Sequence, residues 1–377
     1  MKQWYNRRLI FPFYGVMLLC LLGTAVGISN THVVRAASTT QRSQLANTPV
    51  LQSIRMVNQT TGWATANTTM ILRTVNGGNH WSNVTPHYNV AKPQSFVATF
   101  RDAQHAWVAY EATIGNGTFT ILRTMNGGAS WQSSTVKTSS GFGISSLTFN
   151  GNLNGWLLVG DNGGPGAGSE SFALFSTTNG GAIWSALPDI RTSDQNVRVS
   201  FVDAKNGYLT HGGPYATPHM SVTHDGGRSW QEVALPAVKG ASGDNTTTSP
   251  VFFGSTGFLP VGVQGVTSGF EIFTTHNNGA TWRASGSFLA LGNTAGLGGV
   301  GDLYIVDPTH FYVTNQRGQS FISNDMGVSW HRFNGIVGAG FDSLSFINAQ
   351  QGWAAGNGLL RTVDGDNSWQ KVNYTVQ

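Results

Sequence analysis

An eight-residue pattern, Ser/Thr-x-Asp/Asn-x-Gly-x-x-Trp, constrains this chain more than any other feature, because it recurs along nearly the whole length. It occurs at Thr74 to Trp81, Thr124 to Trp131, Thr177 to Trp184, Thr223 to Trp230, Thr275 to Trp282 and Ser323 to Trp330. A seventh copy, Thr362 to Trp369, carries Asp366 where the others carry Gly. Successive tryptophans lie 50, 53, 46, 52, 48 and 39 residues apart. A period of this size marks a repeat architecture. Each box follows an apolar segment that leads into an aromatic, often as Gly-aromatic: Trp63, Trp107, Trp156, Tyr208, Phe258, Tyr312 and Trp353. Eleven of the twelve tryptophans occupy these two repeat positions, and the other is Trp4, so tryptophan here is architectural.

Each unit parses into four short strands. In the last they run roughly from Asp342 to Ile347, Gly352 to Ala355, Leu359 to Thr362 and Trp369 to Asn373, with turn residues between. The box is the hairpin between the third and fourth strands. Its Gly supplies positive φ, while Asn76, Asn126, Asn179, Asp225, Asn277, Asp325 and Asp364 accept backbone N–H bonds across the turn. The box tryptophans, Trp81, Trp131, Trp184, Trp230, Trp282, Trp330 and Trp369, are expected to lie largely buried over that corner. Composition agrees: 49 glycines and only 10% charged residues suit tight turns between strands, not helices. Four-stranded units that cannot bury both faces alone stack radially. The fold predicted is all-β, a seven-bladed β-propeller of four-stranded antiparallel blades over residues 51–377. Complete strand sets in the first and last units predict closure without strand exchange between the ends.

These residues resemble the Asp-box (BNR) repeat of sialidases, sortilin-type receptors and some endoglucanases. The fuller pattern, an apolar strand, then Gly-Trp-Ala, Ile-Leu-Arg-Thr and x-Asn/Asp-Gly-Gly-x-x-Trp, looks most like the photosystem II stability and assembly factor type of propeller. The resemblance covers roughly Leu51 to Tyr374 and implies a fold more than a function, since the repeated residues build the blade.

Residues 1–36 read as an export signal: Lys2, Arg7 and Arg8, an apolar run from Leu9 to Ile28, then Val34-Arg35-Ala36. The run is also long enough to stay as an uncleaved anchor. Residues 37–50, rich in Ser, Thr and Gln, read as a linker. The expected location is therefore secreted or extracytoplasmic, with a membrane contacted only through an uncleaved leader. The leader holds four of the 21 basic residues and no acid, which leaves 17 basic against 17 acidic residues. A neutral remainder lacks the basic footprint that nucleic-acid binding needs. The single cysteine, Cys20, is also in the leader, so disulfides, thiol nucleophiles and Cys-ligated metals are excluded from the rest.

Candidate functional residues are few. On strand order, the box hairpins share one face with the first turn of each blade. The opposite face carries longer and more varied loops, such as Glu111 to Thr118, Asp161 to Ser171 and Gly212 to His219, and loops of that kind are where binding usually sits. Asp225, Asp325 and Asp364 are box residues, and Asp102, Asp203 and Asp307 occupy equivalent first turns, so these six are read as structural. Asp161, Glu170, Asp244, Glu271 and Asp302 remain on the loop face without a sequence pairing that marks a two-carboxylate hydrolase. The ten histidines show no metal-ligand spacing, and neither a metal nor another cofactor is expected. The most specific non-structural pattern lies just before the box, where Arg73, Arg123 and Arg361 stand in units 1, 2 and 7. Ring closure would make those three neighbours, an arc on the box face, and the resemblance implies partner binding through an arginine-rich patch. The competing reading has each guanidinium packing on a neighbouring Trp or bonding a turn carbonyl. The expected function is a non-enzymatic, monomeric propeller binding a protein or glycan. The alternative is an exo-acting glycoside hydrolase, sialidase-like or endoglucanase-like, with its site at the channel mouth.

Overall fold

The computed structural model describes residues 48–377 except 114, 139–142, 161–169, 193, 213–217, 239–244, 264–267, 291–299, 316–319, 333–340 and 366. The leader and most of the linker lie outside the described residues. The described chain is all-β and forms seven antiparallel sheets, each built around four strands. No helix among the described residues is long and apolar enough to cross a membrane.

Within each blade the strands follow in sequence from the channel outward. Blade 1 is Leu51–Met56, Gly62–Ala66, Met70–Thr74 and His80–Asn83, and blade 4 is Gln195–Phe201, Gly207–Gly212, His219–Thr223 and Gln231–Val233. Blade 7 is Phe341–Phe346, Gly352–Gly356, Gly358–Thr362 and Gln370–Lys371. Blade 5 breaks its innermost strand into Asn245–Thr247 and Val251–Phe253, both paired with Thr256–Val263. The break falls opposite Pro260, which has no N–H to give but still accepts from the Thr248 amide at 3.1 Å.

One aromatic register packs blade on blade. The second-strand aromatic stacks on the first-strand Phe of the next blade: Trp107 on Phe149 at 3.8 Å, Trp156 on Phe201 at 3.6 Å and Tyr312 on Phe346 at 4.0 Å between ring centroids. The Phe lies flat over the glycine that precedes its own blade's aromatic, so that a Cβ on Gly155 would fall 2.4 Å from the Phe149 ring. This close approach is why the repeat reads Gly-aromatic. The same aromatics also donate to the next blade, Trp107 Nε1 to Gly180 O at 2.8 Å and Trp156 Nε1 to Gly226 O at 3.0 Å. Trp353 Nε1 donates to Gly77 O at 3.0 Å, which closes the ring from blade 7 to blade 1. Two inner-strand bonds reinforce that joint, Ile54 N to Ser343 Oγ and Met56 N to Ser345 Oγ.

Two expectations need correction. The ends do exchange a strand: Thr375–Val376 runs parallel to His80–Asn83 as a fifth strand of blade 1. A two-residue strand beyond the seventh box was too short to carry a period-2 signal. The box tryptophans are also less enclosed than expected. Only Trp81 (0% exposed) and Trp282 (5%) are buried, while Trp131, Trp184, Trp230, Trp330 and Trp369 are half-buried. They sit by the outermost strand, where no further layer covers them. Trp81 is enclosed because Tyr374 and Val376 of the returning end pack against the cluster that holds it. The second-strand tryptophans, wedged between blades, are the fully buried set: Trp63, Trp107, Trp156 and Trp353 are at most 2% exposed.

Candidate functional site

The box works as the repeat predicts. In blade 1 the Thr74 hydroxyl donates to Asn76 Oδ1 at 3.0 Å and accepts from the Gly78 amide at 3.0 Å, while Asn76 Oδ1 accepts from His80 N at 2.9 Å. The same set recurs around Asn126, Asn179, Asp225, Asn277 and Asp325. Asp364 keeps the Thr362 and Ser368 bonds, and Asp366 lies outside the described residues. The hydrogen bond from Ser329, joined by that from Ser323, holds the Asp325 carboxyl down to about 2. Asp225 is lowered in the same way, chiefly through Ser229. The turn aspartates Asp102, Asp203 and Asp307 each accept two backbone amides, so they are turn formers as read from the sequence.

Each box turn also bonds the first turn of its own blade, as Gly77 N does to Thr60 O. That tie puts both turns on one face. Arg73, Arg123 and Arg361 stand at this face, each directly across the ladder from the second-strand tryptophan: Trp63 opposite Arg73, Trp107 opposite Arg123 and Trp353 opposite Arg361. All three are half-buried. The Arg73 guanidinium sits 5.7 Å from the Trp63 ring centre and donates through Nε and Nη2 to Ala103 O of blade 2. Arg123 donates to Asn179 O of blade 3 and to Gln132 Oε1 of its own blade. Arg361 lies 5.1 Å from the Trp353 ring centre, and its buried Nε has no partner among the described residues. Each of the three thus leans toward the following blade while keeping an exposed portion.

The channel wall adds two arginines that the repeat search passed over. Exposed Arg55 and Arg101 line a depression of about 400 Å³ between the innermost strands of blades 1, 2 and 3, and its described lining holds no acid. Arg55 is paired across the ladder with Trp63, so Arg55, Trp63 and Arg73 form one row over three strands. The signal was present in the sequence as an Arg eight residues before the aromatic, but it occurs in blade 1 alone.

On the opposite face the acids are engaged by their surroundings. The Glu111 carboxylate is fully buried and accepts amides from Gly115 at 2.8 Å and Gly143 at 3.2 Å. Glu271 is buried in blade 5. Asp161 and Asp244, and the side chains of Glu170 and Asp302, lie outside the described residues. One constellation was not anticipated. Asp194 Oδ2 is 2.6 Å from His211 Nδ1 and 2.9 Å from His219 Nδ1, at the loop-side end of blade 4. His211 and His219 are a direct cross-strand pair. Asp194 just precedes Gln195, which pairs with Gly212 on the strand's other side. Spacings of 17 and 8 residues carry no ligand motif, so only strand pairing could bring these groups together.

No family model matches the sequence, and no curated protein matches it. Solved structures do share the fold. A structure of YCF48 bound to D1 peptide aligns with a TM-score of 0.58 at 19% identity, covering 84% of this chain and 92% of that one. YCF48 from Cyanidioschyzon merolae aligns at 0.56 and 19% identity, over 85% and 97%. The GH74 xyloglucanase from Xanthomonas campestris aligns at 0.59 and 15% identity over 87% of this chain, which spans only 55% of that enzyme.

Proposed function

We propose that the chain is an exported, non-enzymatic Asp-box propeller that docks an acidic or carboxylate-bearing segment of a partner protein on its box-side face. The observation that carries the reading is the row of arginines that ring closure assembles. Arg361, Arg73 and Arg123 stand in one register on three consecutive blades, with Arg55 and Arg101 on the adjoining channel wall and no acid among the described lining. Arg361, set over Trp353, gives no hydrogen bond among the described residues and so keeps its terminal nitrogens available to a carboxylate, while Arg73 and Arg123 keep only the donors not spent on Ala103 O, Asn179 O and Gln132 Oε1. The likeness to YCF48, whose structure carries a D1 peptide, favours a protein partner over a glycan. A hydrolase would need two carboxylates facing each other across a substrate, whereas Glu111 and Asp194 already have close polar partners.

The test is binding of a fluorescent acidic peptide and its neutral amide analogue at low and high salt. The double variant Arg101→Gln/Arg361→Gln should weaken the acidic peptide at least about tenfold at low salt, with a smaller effect at high salt. Neither side chain donates a hydrogen bond to the fold among the described residues, so the melting temperature should change little. Equal binding by wild type and variant would sink the reading. Release of reducing sugar from xyloglucan by the wild-type chain would replace it with the hydrolase.

A further inference from the structure

We propose that Asp194, His211 and His219 form a binding site for one divalent d-block ion, Zn²⁺ being the best fit, on the face opposite the arginines. The three donor atoms lie within 4.8 Å of one another. They come from the loop-side ends of three neighbouring strands of one blade, so their spacing is set by the ladder and not by a free loop. The two imidazole rings stand 88° apart with centroids separated by 5.8 Å, so they approach the shared carboxylate oxygen from different directions. Imidazole nitrogen with carboxylate oxygen is a donor set that suits zinc, and three protein donors leave a fourth position for water or a ligand.

A further observation points to a cation. The Asp194 side chain is 7% exposed, and among the described residues its only ion-pair partners are these two histidines. A buried carboxylate without a cation is costly, and a divalent ion between the three groups would supply that charge. The fit needs a local rearrangement. Donors around tetrahedral zinc at ~2.0–2.1 Å are roughly 3.3 Å apart, so the carboxylate must withdraw by about half an ångström and the two imidazole nitrogens, now within 4.8 Å of each other, must settle at that separation. The Asp194 amide is held by Thr192 Oγ1 at 3.0 Å, which anchors the backbone while the side chain adjusts.

The experiment uses the untagged full chain, stripped with chelator and titrated with Zn²⁺ alone and with Co²⁺ alone. One saturable equivalent by dialysis, a tetrahedral cobalt absorption band and a rise in melting temperature with zinc are expected. His219→Gln alters a side chain that is 34% exposed, so it should fold normally. It should weaken zinc at least ~100-fold, since even outer partners of a metal ligand are worth 10- to 100-fold. His224→Gln, on the box face, should bind like wild type. Absence of a saturable equivalent in the wild-type chain would overturn the site without any variant, leaving a hydrogen-bonded triad. Unchanged affinity in His219→Gln would overturn it equally.

Discussion

At the scale of single residues, the box shows why Asn and Asp alternate at one position without changing the turn. Asn126 Nδ2 donates to Ser130 Oγ at 2.8 Å and Asn277 Nδ2 to Thr281 Oγ1 at 2.9 Å. In the acidic boxes the same hydroxyl turns round and donates, Ser329 Oγ to Asp325 Oδ2 at 2.6 Å. A serine or threonine that can give or accept makes amide and carboxylate equivalent in geometry. They differ in pH response. Asp325 is held down at about 2 by the Ser329 hydrogen bond, below its ordinary unfolded value near ~3.9. A lowered carboxyl stabilises the fold above the unfolded value and loses that contribution as pH falls through the folded one. Asp325→Asn should therefore leave stability at pH 7 within about 1 kcal/mol. It should narrow the gap in Tm between pH 7 and pH 2.5 by roughly 1 to 2 °C, a small shift because the group is exposed and the chain long. Melting curves at pH 7, 4 and 2.5 read this directly, and a wider gap in the variant would contradict the assignment.

At the scale of elements, the returning strand Thr375–Val376 does what a fifth strand does at an open edge. It satisfies the outer strand of blade 1 through Thr375 N to Asn79 O, Gln377 N to Trp81 O and the Asn83 amide to Gln377 O. Tyr374 adds a bond from its hydroxyl to Pro49 O at 2.7 Å, fastening the two ends of the described chain together. Removing residues 374–377 should cost about 3 kcal/mol from these three backbone bonds at ~1 kcal/mol each. The expected fall in Tm is on the order of 5 °C. Trp81, now fully buried, should become open to acrylamide quenching. An unchanged Tm with unchanged quenching would mean that blade 1 closes without this strand.

At the scale of the whole molecule, the ring separates two polar surfaces. Box turns, first turns and the arginine arc share one face, and the Asp194, His211 and His219 cluster lies at the other end of blade 4. Antiparallel strand order enforces this, since alternate turns must emerge on opposite faces. Between them lies a packed wall of blade-to-blade aromatics with no described hinge. The two surfaces should therefore act independently. Combining Arg101→Gln/Arg361→Gln with His219→Gln should give stability changes additive within about 0.5 kcal/mol. Saturating zinc should change acidic-peptide affinity by less than about twofold. Because linkage is reciprocal, peptide should leave zinc affinity alone as well, and a larger effect in calorimetric titration would show that the blades transmit strain.

The sequence by itself determined the blade, its number and its internal chemistry. The glycines at positive φ, the hydroxyl and Asx pair and the Gly-aromatic step are local requirements, and local requirements repeat visibly in a linear chain. Even the adjacency of Arg361 with Arg73 was legible, because a ring of counted repeats fixes its neighbours. Tertiary structure alone decided what depends on depth and on unrelated strands meeting. It left most box tryptophans half-exposed at the outer edge and buried the second-strand tryptophans between blades. It seated Thr375–Val376 on a blade more than 290 residues away in sequence, and it drew Asp194, His211 and His219 onto one point of one sheet. None of these has a period, because each arises from a contact made once, and a contact made once leaves no pattern to read until the chain has folded.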